Sequence, residues 1–88
     1  MDYKKGAAIL GALGHPARLQ IITAITKYGC HVSKIVEKLG LPQSTVSQHL
    51  AVLRSAGIVT YEKEGLKACY RLADKKFNKL LKALGEIV

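Results

Sequence analysis

Between Glu37 and Glu62 the chain has no acidic residue, so nothing in that stretch repels a polyanion. Acidic residues are scarce elsewhere too: six Asp and Glu stand against fourteen Lys and Arg, a formal net charge of +8. Such a balance favours phosphate-bearing partners without naming one. The N-terminus has no apolar stretch long enough for the h-region of a secretory signal. No run of about eighteen apolar residues exists to cross a membrane. With only two cysteines, far apart in a chain without export signals, the expectation is a cytoplasmic protein with free thiols. Enzyme chemistry is equally short of parts. There is no Ser/His/Asp constellation in a recognisable context, no phosphate-cradling Gly loop and no carboxylate pair. Repeats, low-complexity segments and interdomain linkers are absent as well, so residues 1–88 read as one domain. A domain this small buries only about 60% of its unfolded surface and gains from further burial against a partner.

What the chain does have is concentrated in Gln43–Gly57, QSTVSQHLAVLRSAG. Val46, Leu50 and Leu53 fall at helical spacing and form an apolar stripe. Ser44, Ser47, Gln48 and Ala51 repeat that spacing on the opposite side, with Gln43 and Thr45 near one end and Arg54 near the other. A merely solvated helix face carries Glu/Lys pairs instead. Short hydroxyls and amides suit a helix pressed into a DNA major groove, where Gln and Ser meet base edges.

The flanking segments build a frame for that helix. Val32, Ile35, Val36 and Leu39 mark a shorter helix, joined to it through Gly40-Leu41-Pro42. Two helices linked by so short a Gly-containing turn form a helix-turn-helix. Pro42 is a poor cap, so capping of the second helix is expected from Ser44 or Thr45. Upstream, Pro16 opens a helix through Arg18, Leu19, Ile22, Ile25 and Tyr28, which Gly29 closes. Downstream, Ile58–Lys63 and Leu66–Leu72 alternate in character around Glu64-Gly65, a hairpin carrying Lys63, Lys67 and Arg71. The ends return to helix. Tyr3–Leu13 offers Ala7, Ala8, Ile9, Leu10 and Leu13, although Gly6 and Gly11 each cost roughly 1 kcal/mol relative to Ala. After Asp74, a reasonable N-cap, Phe77, Leu80, Leu81, Leu84 and Ile87 form a stripe opposite four lysines. The expected fold is mainly α with a small β-hairpin: a winged helix-turn-helix.

Three stretches, ALGHPARLQII (Ala12–Ile22), LGLPQSTVSQHLAVLRSAGIV (Leu39–Val59) and EGLKACYRL (Glu64–Leu72), resemble the ArsR/SmtB family of bacterial and archaeal repressors. The likeness covers nearly the whole chain. It implies a homodimer through the first and last helices (about residues 3–13 and 74–88) and binding of double-stranded DNA at an inverted-repeat operator, with release by an inducer. The inducer is unknown. Family members that sense metals through Cys-x-Cys-Asp at the third helix are matched here by Cys30-His31-Val32-Ser33-Lys34, which lacks the paired thiolates and the Asp. The last helix contains no His, and Glu86 is the only acid there beyond Asp74. Too few ligands cluster for a tetrahedral site, so neither metal nor cofactor is expected.

Cys30 stands at a helix start near Lys27, and Cys69 should share a strand face with Lys67 and Arg71. Cationic settings lower a thiol pKa and suit a redox sensor. The blander reading makes both cysteines small apolar fillers. A disulfide between them requires a Cα separation under about 7 Å. His49 shares the apolar side of its helix and reads as half-buried and structural. His15 reads as the end of a turn, and the lysines of the last helix as a solvated face. Lys34 and Lys38 are phosphate candidates, because the first helix of the motif crosses the backbone.

These readings converge on a sequence-specific repressor in which Gln43, Ser44, Thr45, Ser47 and Gln48 read bases. Arg54, Lys34, Lys38, Lys63 and Lys67 hold the backbone, and Cys30 and Cys69 are candidate redox sensors. Three alternatives stay open: an architectural protein that coats DNA by charge, a metal-responsive repressor with an atypical site, and a winged helix that binds only protein.

Overall fold

Ile21, Ile22, Ile35, Leu50, Leu53 and Ile58 have no solvent exposure and mark the centre of the molecule. The computed structural model describes every residue from Met1 to Val88. Its elements are α1 (Tyr3–Leu13), α2 (Pro16–Tyr28), α3 (Val32–Leu39), α4 (Gln43–Ser55), β1 (Val59–Glu64), β2 (Lys67–Leu72) and α5 (Lys76–Ile87). The apolar faces of α2, α3 and α4 meet in one cluster, closed on one side by Ile58 and Val59 at the entry to the hairpin. Each fully buried Leu or Ile in it contributes roughly 1.5–3 kcal/mol.

Local chemistry sets the helix limits. His15 caps α2 with its side chain, Nδ1 accepting from the Ala17 N–H at 3.1 Å. Gly40 ends α3 in the left-handed region at φ 66°, which turns the chain directly into α4 without side-chain strain. The expected cap of α4 is not found: Pro42 occupies the cap position, and neither Ser44 nor Thr45 supplies a side-chain bond. Proline's fixed φ, −58° here, sets the entry instead and leaves both hydroxyls unused. Asp74 does accept from the Lys76 N–H at 2.8 Å, although Lys75 intervenes before the helix proper.

β1 and β2 pair antiparallel, from Val59 opposite Leu72 to Glu64 opposite Lys67. The turn is therefore Gly65-Leu66, one residue later than the spacing suggested, because Glu64 still pairs in the ladder. Gly65 at φ 62° takes the first central position, as a II′ turn requires.

The outer helices are incompletely covered. Only Ala12 and Leu13 of α1 are buried, and α5 buries no residue fully. Tyr3, Leu10, Leu80, Leu84 and Ile87 all expose apolar surface. No single helix is long and apolar enough to cross a membrane, and α1 and α2 are bent 91° from each other.

The two cysteines are bonded to each other. The sequence points to free thiols, yet Cys30 and Cys69 form a disulfide across a Cα separation of 4.7 Å. Backbone pairing brings them together. The Tyr70 N–H donates to the Cys30 carbonyl at 2.8 Å, and His31 bridges to Cys69 beside it. A separation of 39 residues in sequence is thus closed by the folding of the wing onto the loop before α3.

Candidate nucleic-acid interface

α4 divides as its residue pattern dictates. Val46, Leu50 and Leu53 are fully buried, whereas Gln43, Ser44, Ser47, Gln48, Ala51 and Arg54 face solvent and Thr45 is half-buried. None of the polar side chains from Gln43 to Gln48 makes a hydrogen bond within the chain. Their donors and acceptors are therefore free for base edges, the arrangement a major-groove helix needs.

His49 holds this helix from behind. Its Nδ1 accepts from Arg18 Nε at 3.2 Å, and its ring centroid lies 4.6 Å from that of His15. Partial burial, then the nearby His15 and Arg18 charges, lower its pKa from the ordinary imidazole value. The same Arg18 donates from Nη1 to the Ala12 carbonyl at 3.3 Å, so one guanidinium ties α1, α2 and α4 together.

The cationic candidates are spread around α4 rather than gathered. Arg54 lies 5.0 Å from the Tyr61 ring centroid, where it is braced beside the first strand of the wing. The ladder places Lys63 on the same face as Tyr61, and Lys67 on the opposite face beside Glu64. The two lysines thus flank the wing tip from different sides. On α3, Lys34 approaches Glu37 at 3.9 Å, and Lys38 sits 5.0 Å from the Tyr28 ring centroid. Arg71 is not a free cation of the wing. Its Nη1 and Nη2 pair with Glu62 at 3.3 Å and Glu64 at 3.2 Å.

That carboxylate also corrects the setting expected for the thiols. Glu64 Oε1 lies 3.0 Å from His31 Nε2 and 3.9 Å from Cys30 Sγ, so an anion rather than a cation adjoins Cys30. Hydrogen bonds from Arg71 and then His31 hold the Glu64 carboxyl below its usual range. The ligand-capable atoms of Cys30, His31 and Glu64 all lie within 4.8 Å of one another. Reading along the third and last helices could not find this group, because Glu64 and Cys69 arrive from the wing. The one sequence signal was His31 directly following Cys30. The family's Cys-x-Cys-Asp pattern does not fit the same stretch, where Ser33 and Lys34 are exposed.

A polar, unpartnered helix on a three-helix core, followed by a β-hairpin with lysines at its tip, defines a winged helix-turn-helix DNA-binding regulator. Residues 15–61 match the model of the bacterial regulatory protein, arsR family, and the chain belongs to that family. It is 38% identical over 86 residues to the uncharacterized HTH-type transcriptional regulator MJ1325 of Methanocaldococcus jannaschii, covering 97% of both chains. It is 34% identical to the transcriptional repressor PagR of Bacillus anthracis, whose crystal structure superimposes with a TM-score of 0.82 over 92% of this chain and 93% of that one. A winged helix-turn-helix domain from Mycobacterium bovis, described as homodimeric, superimposes with a TM-score of 0.85 at 27% identity over 99% of this chain and 85% of its own.

Proposed function

We propose that the protein is a sequence-specific transcriptional repressor that binds an inverted-repeat operator as a homodimer. The carrying observation is the N-terminal half of α4, where the side chains of Gln43, Ser44, Thr45, Ser47 and Gln48 are polar, uncharged and free of internal hydrogen bonds. Gln43, Ser44, Thr45, Ser47 and Gln48 read base edges in the major groove. Arg54, Lys34, Lys38, Lys63 and Lys67 contact phosphates and fix the register. The uncovered apolar faces of α1 and α5 pair with those of a second copy, as the homodimeric relative supports. Two recognition helices then meet half-sites about one helical turn apart.

Thiol oxidation releases the operator in this reading. The disulfide joins β2 of the wing to the loop preceding α3, so it restricts how the wing can adjust to DNA held by α4. Fluorescence anisotropy tests both parts. The probes are DNA from upstream of the gene itself and a scrambled duplex, at fixed salt, with the protein reduced and then oxidised. Tight binding to the upstream DNA alone, lost on oxidation and restored by reductant, supports the whole reading. Redox-indifferent specific binding removes the release mechanism, and equal affinity for both duplexes favours a coating protein.

A further inference from the structure

Between α2 and the end of α3 lies a cleft that the recognition helix and the wing do not use. We propose that it binds a small amphipathic carboxylate, an arylalkyl or medium-chain acid, whose charged end takes Lys38 away from the DNA backbone. The effect on DNA rests on the phosphate role given to Lys38 above; binding in the cleft is tested without DNA.

The residue order of α2 builds the cleft. Leu19, Thr23 and Lys27 recur four apart, and Gln20, Ala24 and Tyr28 repeat that spacing one position on, so all six share one half of the helix surface. Leu39, the last residue of α3, forms the opposite wall, and the space between them is about 340 Å³. That volume falls within the usual range for small-molecule sites, roughly 300–1,000 Å³. The floor is apolar: Ala24 is buried, and Leu19 and Leu39 are half-buried. The Thr23 hydroxyl donates to the Leu19 carbonyl at 2.8 Å, so its proton makes no demand on an apolar ligand body. A rise of 1.5 Å per residue puts Leu19 about 12 Å from Lys27 along the helix axis. An elongated body with one charged end fits that run, whereas a compact inorganic anion leaves the Leu19 end unfilled.

The charged end of the cleft is cationic. Lys27 Nζ lies 5.3 Å and Lys38 Nζ 5.0 Å from the centroid of the Tyr28 ring, so two ammonium groups meet at one aromatic side chain. Neither has a carboxylate partner, although neighbouring Lys34 is paired with Glu37. A cation–π contact holds an ammonium in place and leaves its N–H donors open to an anion. Tyr28 and Leu39 are also the last residues of their helices, and each helix end contributes roughly half a negative charge. Two full positive charges outweigh those two ends, which leaves a net attraction for one carboxylate.

Lys38 links the cleft to the operator. It stands on the first helix of the helix-turn-helix, and a carboxylate held by Lys27 and Lys38 neutralises a charge that a phosphate would otherwise meet. Ligand and DNA therefore compete, and by linkage each weakens the other by the same factor. This route is separate from the disulfide, because neither Cys30 nor Cys69 lines the cleft.

The test titrates 4-phenylbutyrate into the isotopically labelled full chain at fixed salt, without DNA, and follows the amide resonances. Saturable shifts centred on Leu19, Thr23, Lys27, Tyr28 and Leu39 are expected. Lys27→Gln should weaken binding roughly three- to fivefold, the loss of one exposed ion pair, with affinity for the upstream DNA unchanged. The alcohol 4-phenylbutanol, which has the same body without the charge, should bind more weakly than the acid by a similar factor. Saturating 4-phenylbutyrate should then weaken binding to the upstream DNA and lower the salt slope by about one. Absence of saturable shifts overturns the proposal, as do shifts centred instead on Leu10, Leu80 and Leu84. Equal binding of acid and alcohol overturns the carboxylate assignment. Unchanged DNA affinity with the cleft filled overturns the competition through Lys38. Failure of the repressor reading shows separately, as equal affinity of the ligand-free protein for upstream and scrambled DNA.

Discussion

Arg18 of α2 donates from Nε to Nδ1 of His49 on the recognition helix at 3.2 Å, in a partly buried contact. That bond requires His49 Nδ1 to carry no proton, and burial, His15 and Arg18 all disfavour the imidazolium. The unfolded chain, with an ordinary imidazole at about 6.5, then binds more protons than the folded one. Stability contributed by neutral His49 is complete above that value. It is lost as pH falls from there through the lowered folded value. Urea midpoints measured from neutral to mildly acidic pH should fall more steeply for the native chain than for His49→Gln. Parallel curves would show that His49 does not titrate in this way.

Removing the other partner has a separate cost. Arg18→Ala deletes the bonds to His49 and to the Ala12 carbonyl. At about 0.5–1.5 kcal/mol for each bond, equilibrium unfolding should show a loss of roughly 1–3 kcal/mol. A loss indistinguishable from zero would mean that solvent replaces both bonds.

Leu50 has no exposure and sits where α4 enters the core. Leu50→Ala should cost about 2–5 kcal/mol in denaturant unfolding, from lost transfer energy and the cavity left behind. A cost below about 1 kcal/mol would contradict the packing described for α2, α3 and α4.

The disulfide closes a separation of 39 residues. The chain-entropy relation puts its stabilisation at about 3–4 kcal/mol. Reduction of the disulfide should lower the unfolding free energy by an amount of that order. If reduction leaves stability unchanged, the wing is held by its backbone pairing alone.

How much of this was visible in the chain depends on how far apart the partners lie. The helix-turn-helix was legible because Val32, Ile35, Val46, Leu50 and Leu53 obey one local period, and because Gly40 marks the turn between them. The polar face of α4 could be read for the same reason. The cap of α4 departs from the Ser44 or Thr45 expectation because Pro42 sets the backbone without offering a side-chain acceptor. The hairpin turn fell one residue late because Glu64 belongs to the ladder. The Cys30–His31–Glu64–Cys69 group was not legible, since it depends on how the wing packs against the loop before α3. The same is true of Arg71, whose charge is spent on Glu62 and Glu64. Periodicity reports the face of one element and is silent about what a second element brings to it.

The most direct test of the central claim compares two variants on the gene's upstream DNA and on a scrambled duplex across a salt series. Gln48→Ala should cost about 1–3 kcal/mol on the upstream site and little on scrambled DNA. Lys67→Ala should weaken both alike and reduce the salt slope by about one. That contrast would establish α4 as the element that reads sequence and the wing as one that positions it. Equal losses on both duplexes for Gln48→Ala would contradict the account, and leave a protein that holds DNA through charge alone.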